Sequence, residues 1–303
     1  MKYGRIAWLA ATLACTLGAA APPLTGTYAL QRGVAKTSGY LRATAVAGRP
    51  LAYDLDFWAT KPGSATPIVA YSVDMTKLLH MIVVRSDFRT FGHIHPTYGP
   101  DGHFHITYRF PGPGVYHVYA DTDPSGVGQQ VFRFDVDAER TSGPQPSLGA
   151  PNDVAQAYPY TVTLDRTTLS TANETLLHVH ITENGAPAKD LHPYLGAPAH
   201  AVFLNASDFT YVHVHPLPPG GGAMAGMSGM SGMADMPGMS MSATPMPDGA
   251  ALPGDMLLHV AVHEPGRYKL WLQFRGGGSL HVAQFVLGGI GVAAAAEAVV
   301  GGA

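Results

Sequence analysis

Leu79-His80-Met81-Ile82-Val83-Val84-Arg85-Ser86-Asp87-Phe88-Arg89-Thr90-Phe91-Gly92-His93-Ile94-His95-Pro96 is the stretch that decides the fold. A short apolar, β-branched run, a turn-like tetrad Arg85-Ser86-Asp87-Phe88 and a second strand-like run read as a β-hairpin. The same frame returns at His200…His213-Val214-His215-Pro216, each number being 80, 93 or 95 plus 120 with no gap, and Ala201 to Leu204, Asn205-Ala206-Ser207-Asp208 and Thr210 to His215 repeat the strand-turn-strand pattern. Self-similarity at this range sets the domain count at two copies of one module.

A tight turn centred on Ser86-Asp87 pairs residue 85 with 88 and so sets His80 opposite His93; the same count sets His200 opposite His213. Opposed residues of an antiparallel pair hold their Cβ atoms about 4.5–5.5 Å apart, and His95 and His215, two positions on, share the face of His93 and His213. Each copy is thus expected to offer three imidazoles on one patch, an ordinary coordination set for zinc or copper at about 2.0–2.1 Å. The competing reading is a row of hydrogen-bonded histidines at a sandwich rim, with Ile82, Val84 and Phe91 making the patch partly apolar.

The second copy carries an insertion, residues 217–253, almost without ordinary core-formers. Met224, Met227, Met230, Met233, Met236 and Met239 recur every third residue, followed by Met241 and Met246, so eight of the twelve methionines fall between 224 and 246. Glycines at 226, 229, 232 and 238 each cost a helix about 1 kcal/mol, which argues against a packed helix face. An incidental low-complexity linker leaves the period unexplained. Thioether sulfur is a soft, uncharged ligand that selects Cu(I), and a chain presenting one every third residue wraps several around one ion. Tethered beside His213-Val214-His215, such an arm holds captured metal at high effective concentration for the imidazoles, and hand-over from arm to sandwich follows.

Four further histidines rank lower as ligands. Phe104, Ile106, Tyr108 and Phe110 alternate with His103, His105, Thr107 and Arg109, so the apolar set goes inward and His103 and His105 go outward. A turn at Tyr98-Gly99-Pro100 would set His95 against His103 and His93 against His105. His178 and His180 share a face of a strand whose other face is Leu177, Val179 and Ile181. His259, His263 and His281 are outer-shell candidates, and His117 and His192 read as structural.

The fold expected is all-β: two tandem immunoglobulin-like antiparallel β-sandwich domains with a disordered Met-rich loop in the second. Gly (36) and Pro (25) are abundant and only 13% of residues are charged, which fits many short strands joined by turns. Late in each copy Pro113-Gly114-Val115-Tyr116 is matched by Pro265-Gly266-Arg267-Tyr268, the sequence form of an immunoglobulin tyrosine corner. The domain plan is a signal peptide at 1–20, a first module at 24–138, a linker at 139–157, a second module at 158–287 and a flexible tail at 288–303. Lys2 and Arg5, the apolar stretch Ile6 to Leu17 and Gly18-Ala19-Ala20-Ala21 form the three regions of an export signal. Thr12-Leu13-Ala14-Cys15 matches a lipobox only loosely, and the mature chain would contain no cysteine, so a soft-metal site there is built from Met and His. A net charge of −3, or about −5 after cleavage, with no basic stripe, excludes nucleic acid as a partner. No later segment reads as a membrane span.

The run Asp190-Leu191-His192-Pro193-Tyr194-Leu195-Gly196-Ala197…His200…His213-Val214-His215-Pro216…Pro265-Gly266-Arg267-Tyr268-Lys269-Leu270-Trp271-Leu272-Gln273-Phe274 resembles a module of bacterial secreted proteins labelled heavy-metal-associated or copper-associated. The methionine arm is similar to those of periplasmic copper-resistance proteins. The resemblance covers most of residues 50 to 290 and implies export, a sandwich fold and copper. No histidine lies near Ala21, so the N-terminal copper brace of some sandwich-fold copper proteins is excluded. The first reading is an exported copper-binding protein for sequestration or delivery, with a periplasmic or membrane metal-transfer protein as a candidate partner. Cu(I) belongs at the arm and Cu(II) or Zn(II) at the histidines. The rivals are a metal-dependent enzyme with an open three-His site, for which no general base or nucleophile elbow is evident, and a surface scaffold or adhesion protein without metal.

Overall fold

A computed structural model describes residues 22–139, 148–217 and 245–290. Among them there is no helix, and hence none long and apolar enough to cross a membrane. The first module contains β1 (Leu24–Thr25), β2 (Thr27–Tyr28), β3 (Ser38–Ala45), β4 (Ala52–Thr60), β5 (Tyr71–Ser72), β6 (Leu79–Arg85), β7 (Phe91–Ile94), β8 (Thr97–Tyr98), β9 (His103–Arg109), β10 (Gly114–Pro124) and β11 (Gln130–Ala138). The second contains β12 (Val154–Ala157), β13 (Tyr160–Leu164), β14 (Thr168–Ser170), β15 (Thr175–Glu183), β16 (Ala186–Pro187), β17 (Leu191–His192), β18 (Ala199–Asn205), β19 (Tyr211–Val214), β20 (Asp255–Val260), β21 (Gly266–Gly276) and β22 (Ser279–Ile290).

Each module is a β-sandwich. In the first, the sheet β1-β3-β4-β9-β8 faces the sheet β2-β11-β10-β6-β7, to which β5 adds through β10; in the second, β12-β13-β15-β16 with β20 faces β14-β22-β21-β18-β19, to which β17 adds through β21. The strands pair antiparallel except for β14, which runs parallel to β22; outside the strands a parallel bridge joins Leu30 to Tyr211. The tyrosine corner is present twice: the Tyr116 hydroxyl donates to Gly112 O at 2.8 Å, and the Tyr268 hydroxyl donates to Glu264 O at 2.6 Å. Both are fully buried, so each hydroxyl satisfies a backbone carbonyl at the turn before its strand, the device that marks immunoglobulin-like sandwiches. Residues 154–157, expected in the linker, pair with β13, and residues 288–290, expected in the tail, complete β22. Carbonyl and amide groups of both segments close a sheet edge that would otherwise be left unpaired.

The sheets containing β6 and β18 are covered on both faces. Leu79, Met81 and Val83 enter the first module's core with Phe57, Phe104 and Phe134, while Ile82 and Val84 enter a third cluster with Tyr119, Val131, Val202, Leu204, Tyr211 and Trp271. That third cluster draws on both modules and is the seam between them. Phe91 stacks on Trp271 at 5.2 Å between centroids, Tyr119 on Tyr211 at 5.3 Å, and Phe88 on Phe209 at 5.7 Å. Polar links fasten the edge: Gln31 Nε2 donates to the Thr210 and Tyr268 hydroxyl oxygens, and the Tyr119 hydroxyl donates to Phe209 O.

Candidate metal centre at the module seam

The hairpins differ in register from the expectation. Ile82 lies opposite His93 and Val202 opposite His213, which brings His80 level with His95 and His200 level with His215. The turn is two residues longer than a tight one: Arg85 N–H donates to Thr90 O, and Phe88, at a φ of 59°, turns its ring into the seam. Burying that ring offsets the strained backbone. A slip of two positions leaves every side chain on its face, so each set of three histidines still shares a patch.

Within each set, ring nitrogens come into direct contact, and those of His200, His213 and His215 all lie within 4.8 Å of one another. His80 Nδ1 lies 2.9 Å from His93 Nε2, which lies 3.2 Å from His95 Nε2. In the second module His200 Nδ1 lies 3.2 Å from His213 Nε2 and 3.0 Å from His215 Nε2. The same atoms, Nδ1 of the first histidine and Nε2 of the other two, meet in both copies. The two trios also meet each other: the rings of His80 and His93 stand 5.1–5.8 Å from those of His200 and His213, centroid to centroid. Two separate patches were expected; the structure joins six histidines in one cluster.

The outward nitrogens are anchored. His80 Nε2 lies 3.3 Å from Asp74 O and His200 Nε2 lies 2.9 Å from Tyr194 O, two carbonyls in turns that correspond under the 120-residue offset. Met75 and Leu195 follow them at φ of 53° and 51°. Across the seam the anchors cross over: His93 Nδ1 meets Gln273 Oε1 at 3.0 Å, and His213 Nδ1 meets Asp121 Oδ2 at 3.5 Å. Asp121 stands opposite His80 in the β6–β10 pair and Gln273 opposite His200 in the β18–β21 pair, so each module supplies its neighbour's anchor. Asp121, Gln273, Asp74 and Tyr194 were not singled out in the sequence. The signal available was an aspartate ending the apolar run Val118-Tyr119-Ala120-Asp121.

Burial governs the electrostatics. His80 and His200 are each 1% exposed, and the His213 side chain likewise. Loss of water pushes His93, His200 and His213 well below the ordinary histidine value, and neighbouring imidazoles push the same way. His80 is lowered too, against the pull of Asp74. His95 is lowered to about 3 and His215 to about 4, both chiefly by burial. Burial raises Asp121 to about 7, although Gln129 and the Tyr211 hydroxyl donate hydrogen bonds to it. The cluster is therefore a nest of neutral imidazoles.

His103 and His105 form a separate group on the outer sheet of the first module. The chain changes sheets between β7 and β8, so Thr97, not His93, lies opposite His105, and the expected pairing of His95 with His103 does not occur. Asp56 Oδ1 lies 2.7 Å from His103 Nδ1 and 3.3 Å from His105 Nδ1; Arg42 flanks the same carboxylate at 3.6 Å and Trp58 stacks on His103. His178 and His180 are exposed, and His180 pairs with Asp255. His259 faces Glu174 at 3.4 Å, His281 bonds Gly276 O, and the His263 amide donates to Gln31 Oε1. None of these five joins the seam cluster. His192 Nδ1 bonds Ala250 O, and His117 sits between Asp135 and the Phe209 ring.

Met224, Met227, Met230, Met233, Met236, Met239 and Met241 lie outside the described residues, as do the expected signal segment and Cys15. Met246 does not behave as part of a free arm: its amide donates to Gly196 O at 2.8 Å and its side chain packs on the second module's core. Gly196, at φ +80°, lies in the turn whose Tyr194 carbonyl anchors His200, and a Cβ there would come within 2.6 Å of the Pro245 Cβ. Leu217, two residues beyond His215, pairs with Leu257 through both backbone bonds. The Met-rich segment thus departs close to one histidine and returns against the turn that anchors another.

Among solved structures, this chain is similar to trypsin-activated alpha-2-macroglobulin from Escherichia coli (13% identity, 86% of this chain and 17% of that one, TM-score 0.21). A Salmonella alpha-2-macroglobulin mutant gives 15%, 88%, 16% and 0.22, and the native E. coli alpha-2-macroglobulin 13%, 89%, 15% and 0.21. The chain spans less than a fifth of the length of these structures. Comparison with curated proteins finds no match. One family model matches residues 38–140 and 155–289, a segment in each module. The chain therefore belongs to the family described as Domain of unknown function (DUF8832).

Proposed function

We propose that this is an exported copper-binding protein that sequesters or delivers the ion, holding it at the seam histidines and capturing Cu(I) with Met224, Met227, Met230, Met233, Met236, Met239 and Met241. One observation carries the reading. A neutral imidazole has one N–H, and because the outward nitrogens of His80 and His93 face Asp74 O and Gln273 Oε1, oxygens that can only accept, we assign that hydrogen to the outward side. Nδ1 of His80 and Nε2 of His93 are then both lone pairs, 2.9 Å apart and buried. Two facing lone pairs in a dry site need a cation between them, and burial opposes the proton. Nitrogens about 3.3 Å apart are what a tetrahedral ion with 2.0–2.1 Å bonds requires, and His93 Nε2 stands 2.9 Å from His80 Nδ1 and 3.2 Å from His95 Nε2. Carbonyl and carboxylate anchors on the far nitrogens are the usual outer partners of metal-bound histidine.

Copper is preferred to zinc because a run of soft thioethers follows His213-Val214-His215 in a sequence whose part after the proposed signal has no cysteine. Export rests on the N-terminal signal pattern. The test is a titration of the full chain with Cu(I), Cu(II) and Zn(II), repeated after deleting residues 220–244 and after His80→Asn with His93→Asn. Cu(I) capacity is expected to fall in the deletion and Cu(II) capacity in the histidine variant. Equal binding of all three ions by every variant would remove the proposal.

A further inference from the structure

We propose that the six histidines form a single two-ion centre, one copper in each trio, bridged by a small anion at the seam. The inference rests on the copper reading above and specifies the site. The ligand nitrogens of His200, His213 and His215 all lie within 4.8 Å of one another, and in the first trio His93 Nε2 touches both His80 Nδ1 and His95 Nε2, the same atom types in both copies. An ion held by three imidazoles has a fourth position open.

We place the two open positions at the seam, where the trios adjoin. One ligand nitrogen of His200 lies within 4.8 Å of ligand nitrogens of both His80 and His93, so the two nitrogen sets are separated by little more than the width of one coordination sphere. Ions seated in the two trios would be neighbours across the seam, the arrangement in which one oxygen spans both metals. Charge requires such an oxygen. The six ligands are neutral, and the carboxylates nearest them are Asp121, which contacts only the far nitrogen of His213, and Asp74, 3.9 Å from the far nitrogen of His80. Two Cu(II) ions in a site this dry call for an anion between them. Hydroxide serves, formed when a water shared by both ions releases one proton to solvent.

The rival arrangement is one ion shared across the seam by His80, His93 and His200, which also come within range of one another. The two are separated by counting copper and unpaired spins in the full chain. Cu(II) suits this measurement because thioethers favour Cu(I). The chain is loaded with excess Cu(II), freed of unbound metal by gel filtration, assayed for total copper and integrated by electron paramagnetic resonance. His95→Ala and His215→Ala each remove one partly exposed ligand from one trio, and circular dichroism checks that both variants fold; His95→Asn and His215→Asn replace them if they do not.

The expected result is a parent whose spin count falls two short of its copper count, or which shows a half-field transition. Each variant should bind one copper fewer and recover the full spin of what remains. Azide added to the parent should shift its charge-transfer absorption and leave that of the variants near the parent's anion-free value. A parent with as many spins as coppers and no half-field line overturns the two-ion centre, as does a variant carrying both His95→Ala and His215→Ala that loses only one copper. Copper content unchanged in every variant overturns the seam as a copper site altogether, a result distinct from either.

Discussion

Asp121 of the first module lies against His213 of the second, Oδ2 to Nδ1 at 3.5 Å, and the mirrored place in the cluster is taken by Gln273 against His93 at 3.0 Å. Duplication has kept the crossing of anchors but not their charge. A carboxylate makes the imidazole it holds a stronger donor to metal than an amide does, so the two trios are unequal ligands.

Asp121→Asn should therefore weaken Cu(II) binding at the His213 side by about 10–100-fold, the usual effect of losing an outer partner of a metal-bound histidine. Gln273→Glu should tighten the His93 side and lower the stability of the metal-free chain, since it buries a new carboxyl. Competition with a chelator of known affinity reads both. Equal affinity in parent and both variants would show that the anchors do not act through metal.

Acid should destabilise the metal-free chain. His95 at about 3, His215 at about 4, and His93, His200 and His213, each held well below the ordinary value by burial, all sit below the unfolded value of 6.5. Between those values the unfolded chain binds more protons, so stability is complete above about pH 6.5 and declines as pH falls toward 4. Asp121, raised from 3.8 to about 7, acts oppositely: its contribution is full below 3.8 and is lost as pH rises through 7. Several histidines outweigh one aspartate, and urea midpoints at pH 7.5, 6 and 4.5 should fall in that order. Copper should raise the midpoint most at pH 7.5. A flat profile would show that the imidazoles are not buried neutral.

Trp271→Ala should cost about 3–5 kcal/mol, the range for truncating a buried tryptophan. Its ring is 0% exposed and stacks between Phe91 and Phe88 in the seam. Denaturant midpoints measure the loss, and copper affinity should fall with it because the trios rely on the same packing for their mutual approach. Stability reduced with the spin deficit of the copper-loaded chain intact would show that seam packing does not set the spacing of the ions.

Gly196→Ala combines a left-handed φ of +80° with a Cβ 2.6 Å from Pro245. A loss of at least about 1 kcal/mol is expected from the backbone alone. Gly185→Ala, also at positive φ (+78°) but with open space around its Cβ, is the control. A comparable fall in midpoint for both would mean that the Pro245 contact adds nothing.

Much of the site was legible because β-structure has a period of two. The histidine spacing was misread by two positions, since Phe88 leaves the turn for the seam, and a slip of two still returns every imidazole to its face. The tyrosine corners were equally local: Pro113-Gly114 and Pro265-Gly266 precede tyrosines that bond their own turns. The meeting of the modules was less visible, because Asp121 and His213 are separated by 92 residues and no local pattern links them. One trace existed. Met81-Ile82-Val83-Val84 and Ala201-Val202-Phe203-Leu204 are apolar without alternation, which signals strands covered on both faces. The outer group was half-read for a similar reason: His103 and His105 were assigned by alternation, but Asp56 comes from the neighbouring strand.

With one side of β6 committed to its own sandwich interior and the other to the opposing module, no change in this strand can be confined to one purpose. A substitution at Met81 or Ile82 alters how tightly a layer fills and, through the adjoining His80, how two sets of nitrogens are aimed. Affinity for the ion and durability of the scaffold are thereby tied together, and adjusting either in isolation requires working from the rim, at His95 and His215, where the cluster borders water.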